Sequence, residues 1–483
     1  MRIKNLAILL FSSFLFINCT KTERDTLPLN LEINDFVWKG MNTYYLWQDD
    51  VPNLADDRFT SQENLYSYLE SYNRPDELFE HLKYEPETTD KWSWIVEDYI
   101  ALENYFSGVR TSTGAVFKLY LMAENSTDVY GIVRYIVPNT DAASKPIQRG
   151  AVFNAVNGTL LNTSNYYDLL YNSESFTLNL GSYFYNLSSE TVEVTPNGNN
   201  VTLNKGVYSE NPVHKVTTFD QNGITVGYLM YNSFTSNFDQ ELNNAFHYLK
   251  NENVSELILD LRYNGGGSVR TATYLAGMIT GQFNGQLLTQ EQWNPKWQTW
   301  LEENHPDWLI NTFTNTMDDG TSLSNLNLSR VIVLTTDNTA SASELIINGL
   351  KPYIDVVTIG TTTHGKYVAS VTLYDSPNFS KENVNTDHNW ALQPIVLKEV
   401  NKLGDYAING FAPTSTFDEN FENMGLLGDA TEPLTARALN YIENGNRIEQ
   451  ENSTPSHFRK QLKHPNRLET EMYINKSLPF ERI

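Results

Sequence analysis

Three hydroxyl side chains alternate with alanines at residues 339–343 of the stretch NTASASELIING, and a serine in such a turn can serve as a nucleophile. The preceding VIVLTTD predicts a buried strand, and the apolar run that follows the turn predicts a helix. Ser341 is therefore expected at a helix N-terminus, where free N–H groups and the helix dipole can stabilise a developing oxyanion. Ser341 and Glu344 also match the S-x-x-E capping box, so helix capping without catalysis is an open alternative.

A serine nucleophile needs a base, and two candidates follow in the stretch TIGTTTHGKYVAS, namely His364 and Lys366. Lysine accepts a proton only when it is neutral, so its pKa must fall from about 10.4 towards about 7 or 8. Burial can supply the roughly 4 kcal/mol that this requires. Turn hydroxyls such as that of Thr363 could hold the amine without adding charge. His364 would give a Ser–His pair instead, but no acidic residue that could orient it lies nearby in sequence.

A run of glycines at residues 265–267 separates a predicted strand from a predicted helix in LILDLRYNGGGSVRTA. Glycine allows unusual dihedral angles and close backbone approach, and exposed N–H groups there can hold an anion. The run could form an oxyanion hole or a structural turn. A dinucleotide site is discounted because the G-x-G-x-x-G spacing is absent. Asp260, at the end of the strand, is expected to have a structural role.

The composition of the 483-residue chain excludes several classes of function. A net charge of -24 argues against nucleic-acid binding and against a polybasic membrane patch. The histidines are scattered and H-E-x-x-H spacing does not occur, so we expect no metal and no cofactor. With 40% hydrophobic residues, the chain is long enough for two to four domains with their own cores.

The N-terminus is typical of a secretion signal. Arg2 and Lys4 precede an apolar run that is too short to span a bilayer, and the run is followed by Cys19, the only cysteine. The stretch LFINC resembles a bacterial lipoprotein signal, which implies that Cys19 is lipidated and that the protein is anchored to a membrane of the cell envelope. An ordinary signal peptide with an incidental cysteine is the alternative.

Six segments are expected along the chain, and together they predict a multidomain α+β protein. They are a signal peptide at 1–18, a tether at 19–30, a helical N-terminal domain at 31–103, a β domain at 104–195, an α/β domain at 196–445 and a polar tail at 446–483. The stretch AASKPIQRGAVFNAVNGTLL resembles a PDZ domain, which would capture peptide ends by strand addition. A small β-barrel that binds no peptide is the alternative.

The segments LILDLRYNGGG, TASASE and GTTTHGK together resemble the core motifs of the C-terminal processing peptidases, the S41 serine peptidase family. The resemblance implies a ClpP/crotonase-type α/β catalytic domain and a serine endopeptidase that cleaves peptides or unfolded proteins near their C-termini. It also assigns roles to particular residues. These are Ser341 rather than Ser343 as nucleophile, Lys366 as base, the N–H groups of Ala342 and Gly266 as the oxyanion hole, and Glu344 and Thr363 as supporting residues.

Two features leave other functions open. Many members of the family carry a glutamine four residues after the lysine, where this chain has Ser370, so either another group orients Lys366 or activity is weak. A catalytically inactive peptide-binding lipoprotein is therefore one alternative. A surface glycan-binding lipoprotein is another, because Trp293, Trp297 and Trp300 would share a helical face and Trp308 follows them. A packed helix or a lid is the other interpretation of these tryptophans, and the one that the pattern favours. The oligomeric state is not indicated by the sequence.

Overall fold

The computed structural model describes residues 28–445, 460–462 and 471–474. The predicted signal peptide and the lipidation site Cys19 lie outside these residues. None of the helices within the described ranges combines the length and the apolar character that a bilayer crossing requires.

The N-terminal region is helical, as the sequence predicts. It comprises α1 (Leu29–Tyr44), α2 (Gln62–Leu69), α3 (Pro75–His81), β1 (Trp94–Val96) and α4 (Tyr99–Phe106). The spacing of Phe36, Met41 and Leu46, with Val37 and Tyr44 nearby, predicts one apolar helical face. On α1, Phe36, Val37, Met41 and Tyr44 are fully buried, whereas Leu46 lies beyond the end of the helix. The stretch SQENLYSYLESY predicts a helix capped by Ser61, and the Ser61 hydroxyl caps α2 by accepting a hydrogen bond from the Asn64 N–H.

A second, β-rich region follows. It comprises β2 (Val109–Ser112), β3 (Ala115–Leu121), β4 (Val129–Ile136), β5 (Val152–Val156), β6 (Thr159–Leu160), α5 (Tyr166–Leu170), β7 (Ser175–Asn186), β8 (Thr191–Asn204) and β9 (Gly206–Ser209). Its main sheet has the order β3-β4-β5-β7-β8, with β3 at one edge. Asn157 and Gly158 both have positive φ, as a tight hairpin turn between β5 and β6 requires.

Two details of this region differ from the sequence-based expectation. The stretch DAASKPIQRG predicts a short helix, but residues 142–144 form a single 3₁₀ turn. The strand β8 is continuous through residue 195, where the boundary of the β domain is expected, because it pairs with β7 along most of its length. The chain leaves this region through β9, which pairs with β2. The pair β2–β9 therefore forms the entry and exit of the β domain.

The α/β region contains the remaining elements. The strands are β10 (Val213–Gln221), β11 (Ile224–Tyr231), β12 (Glu256–Asp260), β13 (Gly267–Ser268), β14 (Leu287–Trp293), β15 (Ile310–Thr312), β16 (Arg330–Thr335), β17 (Asp355–Gly360), β18 (Val368–Ser370), β19 (Leu373–Tyr374), β20 (Ala391–Gln393), β21 (Ile395–Asn401), β22 (Ser415–Thr416) and β23 (Met472–Tyr473). The helices are α6 (Asp239–Asn251), α7 (Val269–Thr280), α8 (Pro295–Asn304), α9 (Ala342–Leu350) and α10 (Pro433–Asn444).

Two six-stranded sheets organise this region. The first has the order β10-β11-β12-β16-β17-β22 and is parallel from β11 onwards, so the carboxyl ends of β12, β16 and β17 lie at one edge. The second has the order β13-β23-β18-β21-β14-β15. Residues 471–474 of the expected polar tail are buried, and their strand β23 lies between β13 and β18. This part of the tail therefore belongs to the folded structure.

The tryptophans join the N-terminal region to the α/β region. Trp293 ends β14 instead of lying on α8, and both Trp293 and Trp297 are buried. The Trp297 ring stacks on Tyr44 and its indole N–H donates to the Thr43 carbonyl at 2.8 Å. Because β1 also pairs with β20, the helical region is held to the α/β region by both packing and strand pairing.

Candidate active site

Ser341 lies between β16 and α9, at the turn that the sequence predicts. Its φ of 66° and ψ of -117° lie outside the conformations that L-residues ordinarily adopt, and its side chain has no exposed surface. Such a strained residue persists only where the surrounding structure holds it, and this kind of strain concentrates at functional sites. The turn is therefore more than an ordinary helix cap.

The three hydroxyls of this turn have different surroundings. The Thr339 hydroxyl donates to the Leu261 carbonyl at 2.8 Å, and the Ser343 hydroxyl donates to the Asn264 carbonyl at 3.0 Å. The Ser341 hydroxyl faces the backbone of α9, as in a capping box, but no contact of its Oγ with the described residues meets hydrogen-bond geometry. Buried hydroxyls normally form hydrogen bonds, so an unpaired Ser341 hydroxyl destabilises the folded state. The same hydroxyl has no hydrogen bond to break before it reacts.

Glu344 connects the serine turn to the loop that carries Lys366. One carboxylate oxygen accepts the N–H groups of Ser341 and Lys366, each at 2.9 Å. The other accepts the Thr363 hydroxyl at 2.6 Å and the Gly365 N–H at 2.7 Å. Burial raises the pKa of Glu344, and these four hydrogen bonds lower it in part. Glu344, together with the Thr363 hydroxyl, therefore links the serine turn to the Lys366 loop.

Lys366 is almost completely buried and lines the same pocket as Ser341. Burial lowers the pKa of Lys366 below its ordinary value of 10.5, while the carboxylates of Glu471, Asp90 and Glu344 raise it in part. The Glu471 carboxylate lies 3.4 Å from the Lys366 Nζ. The lowered pKa is the direction that a lysine base requires.

Gly266 lies directly against the serine, because the glycine run passes beside the turn. A Cβ at Gly266 would lie 2.6 Å from the Ser341 Cβ and 2.9 Å from its Oγ, and the φ of Gly266 is +111°. Only glycine fits here, for reasons of both space and backbone conformation. In this structure the Gly266 N–H donates to Asn264 Oδ1 at 2.9 Å, so it would exchange that partner to hold an oxyanion.

Asn264 holds the glycine run in place, a role that the sequence analysis did not assign. Its side-chain N–H donates to the Tyr231 carbonyl at 2.8 Å, and its carbonyl accepts the Ala340 N–H as well as the Ser343 hydroxyl. The asparagine before the glycines could have been singled out as a turn residue. Its partners lie 33 and about 80 residues away, so they cannot be read from its neighbours.

His364 and Ser370 differ in their position relative to Lys366. His364 contacts the Asp337 carbonyl through Nδ1 at 3.3 Å and does not line the pocket that contains Ser341, whereas Ser370 is buried beside the Glu471 carboxylate that faces Lys366. The Ser370 hydroxyl donates to the Met472 carbonyl at 3.2 Å. The side chain facing Lys366 from the tail is Glu471, which the sequence analysis did not identify.

The pocket beside Ser341 and Lys366 has walls from α9, the second sheet and the chain that follows β21. Its lining includes Leu345, Tyr406 and Phe411, together with Met472 of the tail. The apolar and aromatic character of these walls suits an apolar side chain next to a reacting bond. The described residues contain no group of three or more side chains suited to holding a metal ion.

Two segments of the chain match sequence models of known domains. Residues 225–378 match the sequence model of Peptidase family S41, and residues 32–94 match that of the Peptidase S41 N-terminal domain. The chain is 26% identical over 166 residues to a carboxyl-terminal-processing protease of Synechocystis. It is 27% identical over 158 residues to carboxyl-terminal-processing peptidase 3, a chloroplastic protein of Arabidopsis thaliana. These matches span 34% and 25% of the relatives' own lengths.

A solved structure extends the similarity to most of the chain. The crystal structure assigned to an S41 protease of Bacteroides fragilis has a TM-score of 0.64 and 27% sequence identity. The similarity covers 84% of this chain and 97% of that one. The order of helical, β-rich and α/β regions is therefore an architecture found in S41 proteases.

Proposed function

Because the chain carries the domains of peptidase family S41, we propose that it is a serine endopeptidase with Ser341 as nucleophile and Lys366 as general base. One observation carries the proposal. Of the three hydroxyls in the serine turn, the Ser341 hydroxyl alone lacks a hydrogen-bond partner among the described residues, and it lines a pocket with a buried lysine.

The proposed reaction begins with neutral Lys366, which accepts the Ser341 proton as Oγ attacks the scissile carbonyl. The amides of Ala342 and Gly266 would hold the resulting oxyanion, supported by the positive end of the α9 dipole. The Lys366 ammonium then returns its proton to the leaving amine, which leaves an acyl ester on Ser341. Water, deprotonated by Lys366, hydrolyses that ester and restores the serine.

The proposed substrates are peptides or unfolded proteins, cut near their C-termini. The names of the relatives support this, since both are called carboxyl-terminal-processing enzymes. The PDZ-like region is proposed to present the chain end, because β3 is an edge strand to which an extended peptide can add. Titration of the protein with peptides that differ only in a free or amidated C-terminus tests this step. Equal binding of the two peptides would contradict C-terminal recognition.

The proposed location is the cell envelope, with the chain held to a membrane by a lipid on Cys19. The LFINC signal supports this proposal. Mass spectrometry of the mature N-terminus is the test. An unmodified Cys19, or a retained Met1 leader, would remove the anchor from the proposal.

Catalysis is tested by following the cleavage of a loosely folded protein over a range of pH. We expect Ser341→Ala and Lys366→Arg each to reduce the rate by several orders of magnitude, since nucleophile and base act as a unit. Arginine keeps the charge of Lys366 but does not become neutral at working pH. In the unmodified chain the rate should rise as Lys366 loses its proton, with a midpoint below 10.5, because burial lowers its pKa.

Two controls separate the alternatives. The variant His364→Ala should cleave at close to the original rate, because His364 does not line the pocket that contains Ser341. Loss of activity in His364→Ala with activity retained in Lys366→Arg would indicate a Ser–His enzyme. An inert wild-type chain that still binds peptides would favour the peptide-binding lipoprotein.

A further inference from the structure

Two short segments from the C-terminal part of the chain lie at two different strand edges. The first is residues 460–462, which run antiparallel to β3. The Lys460 carbonyl accepts the Leu121 N–H at 3.0 Å, and the Leu462 N–H donates to the Leu119 carbonyl at 2.9 Å. The Leu462 side chain packs against the core of the β domain. This segment therefore occupies the edge at which an external peptide would add a strand.

The second segment is residues 471–474, which fill the gap between β13 and β18. Met472 and Tyr473 pair with Gly267 and Ser268, and the Ile474 N–H donates to the Ser370 carbonyl at 3.2 Å. This gap leads directly to the candidate nucleophile. An extended substrate would need the same backbone edges to bring a peptide bond to Ser341.

The backbone of Glu471 lies where a reacting carbonyl would lie. A Cβ at Gly266 would be 2.5 Å from the Glu471 carbonyl oxygen and 2.9 Å from the Ser341 Oγ, so both atoms adjoin the same face of Gly266. The following residue, Met472, lines the pocket beside Ser341. The Glu471–Met472 peptide bond therefore has the placement of a substrate bond.

The side chain of Glu471 faces the candidate base. Its carboxylate lies 3.4 Å from the Lys366 Nζ and 3.5 Å from the Ser370 Oγ, and all three groups are buried. A carboxylate at this distance favours the protonated lysine over the neutral amine. The protonated lysine cannot accept the Ser341 proton, so the same segment that fills the groove also opposes the base.

We propose that residues 460–462 and 471–474 act as an intramolecular pseudo-substrate, which an external extended peptide must displace from both edges before Ser341 can react. The proposal rests on the proposed peptidase function and names its regulation. With the segment bound, Ser341 has no exposed surface and Lys366 is 1% exposed, so an external peptide cannot reach either group.

The occupant also indicates a class of ligand. The groove accepts an extended peptide whose acidic residue faces Lys366 and whose next residue is apolar and enters the pocket. A peptide with the sequence RLETEMYINKSL, copied from residues 467–478, is therefore a direct probe. A peptide of the same composition in scrambled order is the matched control.

Binding of the labelled probe is measured by fluorescence anisotropy with the full-length chain in a Ser341→Ala background. The comparison is between that chain and a form that also carries Leu462→Pro and Ile474→Pro. Each proline removes an N–H that holds the segment at its edge. We expect the probe to bind at least about tenfold more tightly to the proline form, because the intact segment competes for the same groove. Equal affinity for the two forms, or binding to neither, would overturn the proposal.

Activity provides an independent readout through Glu471→Gln, with the exposed Glu382→Gln as its control. We expect Glu471→Gln to cleave a loosely folded protein about tenfold faster, while Glu382→Gln is unchanged. The midpoint of the pH profile should also move to lower pH. Lys366 would then be faced by the carboxylates of Asp90 and Glu344 but no longer by that of Glu471.

These results separate the pseudo-substrate role of the tail from the proposed peptidase function. Loss of activity in Glu471→Gln would make Glu471 a positioning group for Lys366 and would overturn the pseudo-substrate role. Tighter probe binding to the proline form, with every variant inert, would support occupation of the groove while contradicting the proposed peptidase function.

Discussion

Two buried polar clusters lie at the carboxyl ends of neighbouring strands, and they are built in opposite ways. The cluster around Arg262 is fully paired. Its guanidinium donates to Asp260 at 2.9 Å and to both oxygens of Glu432 at 2.6 and 2.9 Å. The cluster around Ser341 contains a strained backbone and a hydroxyl without a hydrogen-bond partner among the described residues.

The Arg262 cluster also joins two regions of the protein. Arg149 of the β-rich region donates to Glu419 at 2.7 Å, and Glu419 accepts the Tyr263 hydroxyl at 2.6 Å. Every strong donor there has a matching acceptor, so the cluster can hold the regions together without reacting. Burial and charge therefore do not by themselves mark a functional site. Ser341 differs from the Arg262 cluster because a strained backbone and an unpaired buried hydroxyl coincide there among the described residues.

The largest effect on stability is expected from Arg262→Met. The change leaves Asp260 and Glu432 buried without their cation, which should lower the free energy of unfolding by about 3–5 kcal/mol. Urea denaturation measures this change. The control is Arg330→Met, which breaks a partly exposed ion pair with Glu256 and should cost at most about 1 kcal/mol. Equal losses in the two variants would contradict the distinction between the clusters.

The pH dependence of stability is the next largest effect. Burial alone would raise the pKa of Glu419, but Arg149 and Arg262 lower it to about 2, below its ordinary value of 4.5. The stabilisation from Glu419 is therefore complete above pH 4.5 and is lost as the pH falls towards 2. Unfolding measured from pH 7 to pH 3 should show a steeper loss for the unmodified chain than for Glu419→Gln. Parallel curves would contradict this prediction.

Glu344→Gln should affect catalysis more than substrate binding. The amide nitrogen of glutamine cannot accept the N–H or O–H groups that one carboxylate oxygen now accepts, so the serine turn and the Lys366 loop would separate. We expect kcat to fall about 10²-fold with KM little changed, since small displacements of reacting groups are costly. Steady-state kinetics separate the two constants. An unchanged kcat would show that Glu344 does not position the site.

The smallest effect is expected from Ser343→Ala, the neighbour of the candidate nucleophile on the same turn. The change removes one hydrogen bond to the Asn264 carbonyl, which should cost about 1 kcal/mol of stability. Most of the activity should remain, because the Ser343 hydroxyl already has a structural partner. Thermal unfolding and the cleavage rate test the two halves of this prediction. Loss of all activity would bring the choice of Ser341 into question.

Local sequence patterns predicted much of the fold. The buried face of α1, the Ser61 cap of α2, the Asn157–Gly158 hairpin and the strand–turn–helix around Ser341 depend on residues close together in the chain. Periodicity and turn chemistry report such short-range preferences directly. The patterns did not predict that Trp293 lies on a strand, nor that β8 continues to Asn204, because strand pairing with distant partners sets those limits.

The sequence by itself determined which chemical groups are present: a serine at a helix N-terminus, a lysine after a buried strand and a glycine run beside them. Only the tertiary structure decided which of these groups are hydrogen-bonded and which charges lie beside the lysine. Within the part of the chain that the structure describes, it paired the hydroxyls of Thr339 and Ser343 but not that of Ser341. It also placed Glu471 against Lys366 across 105 positions of the chain. Hydrogen bonding and pKa depend on the groups that surround a side chain in space, and folding brings those groups together from distant parts of the sequence.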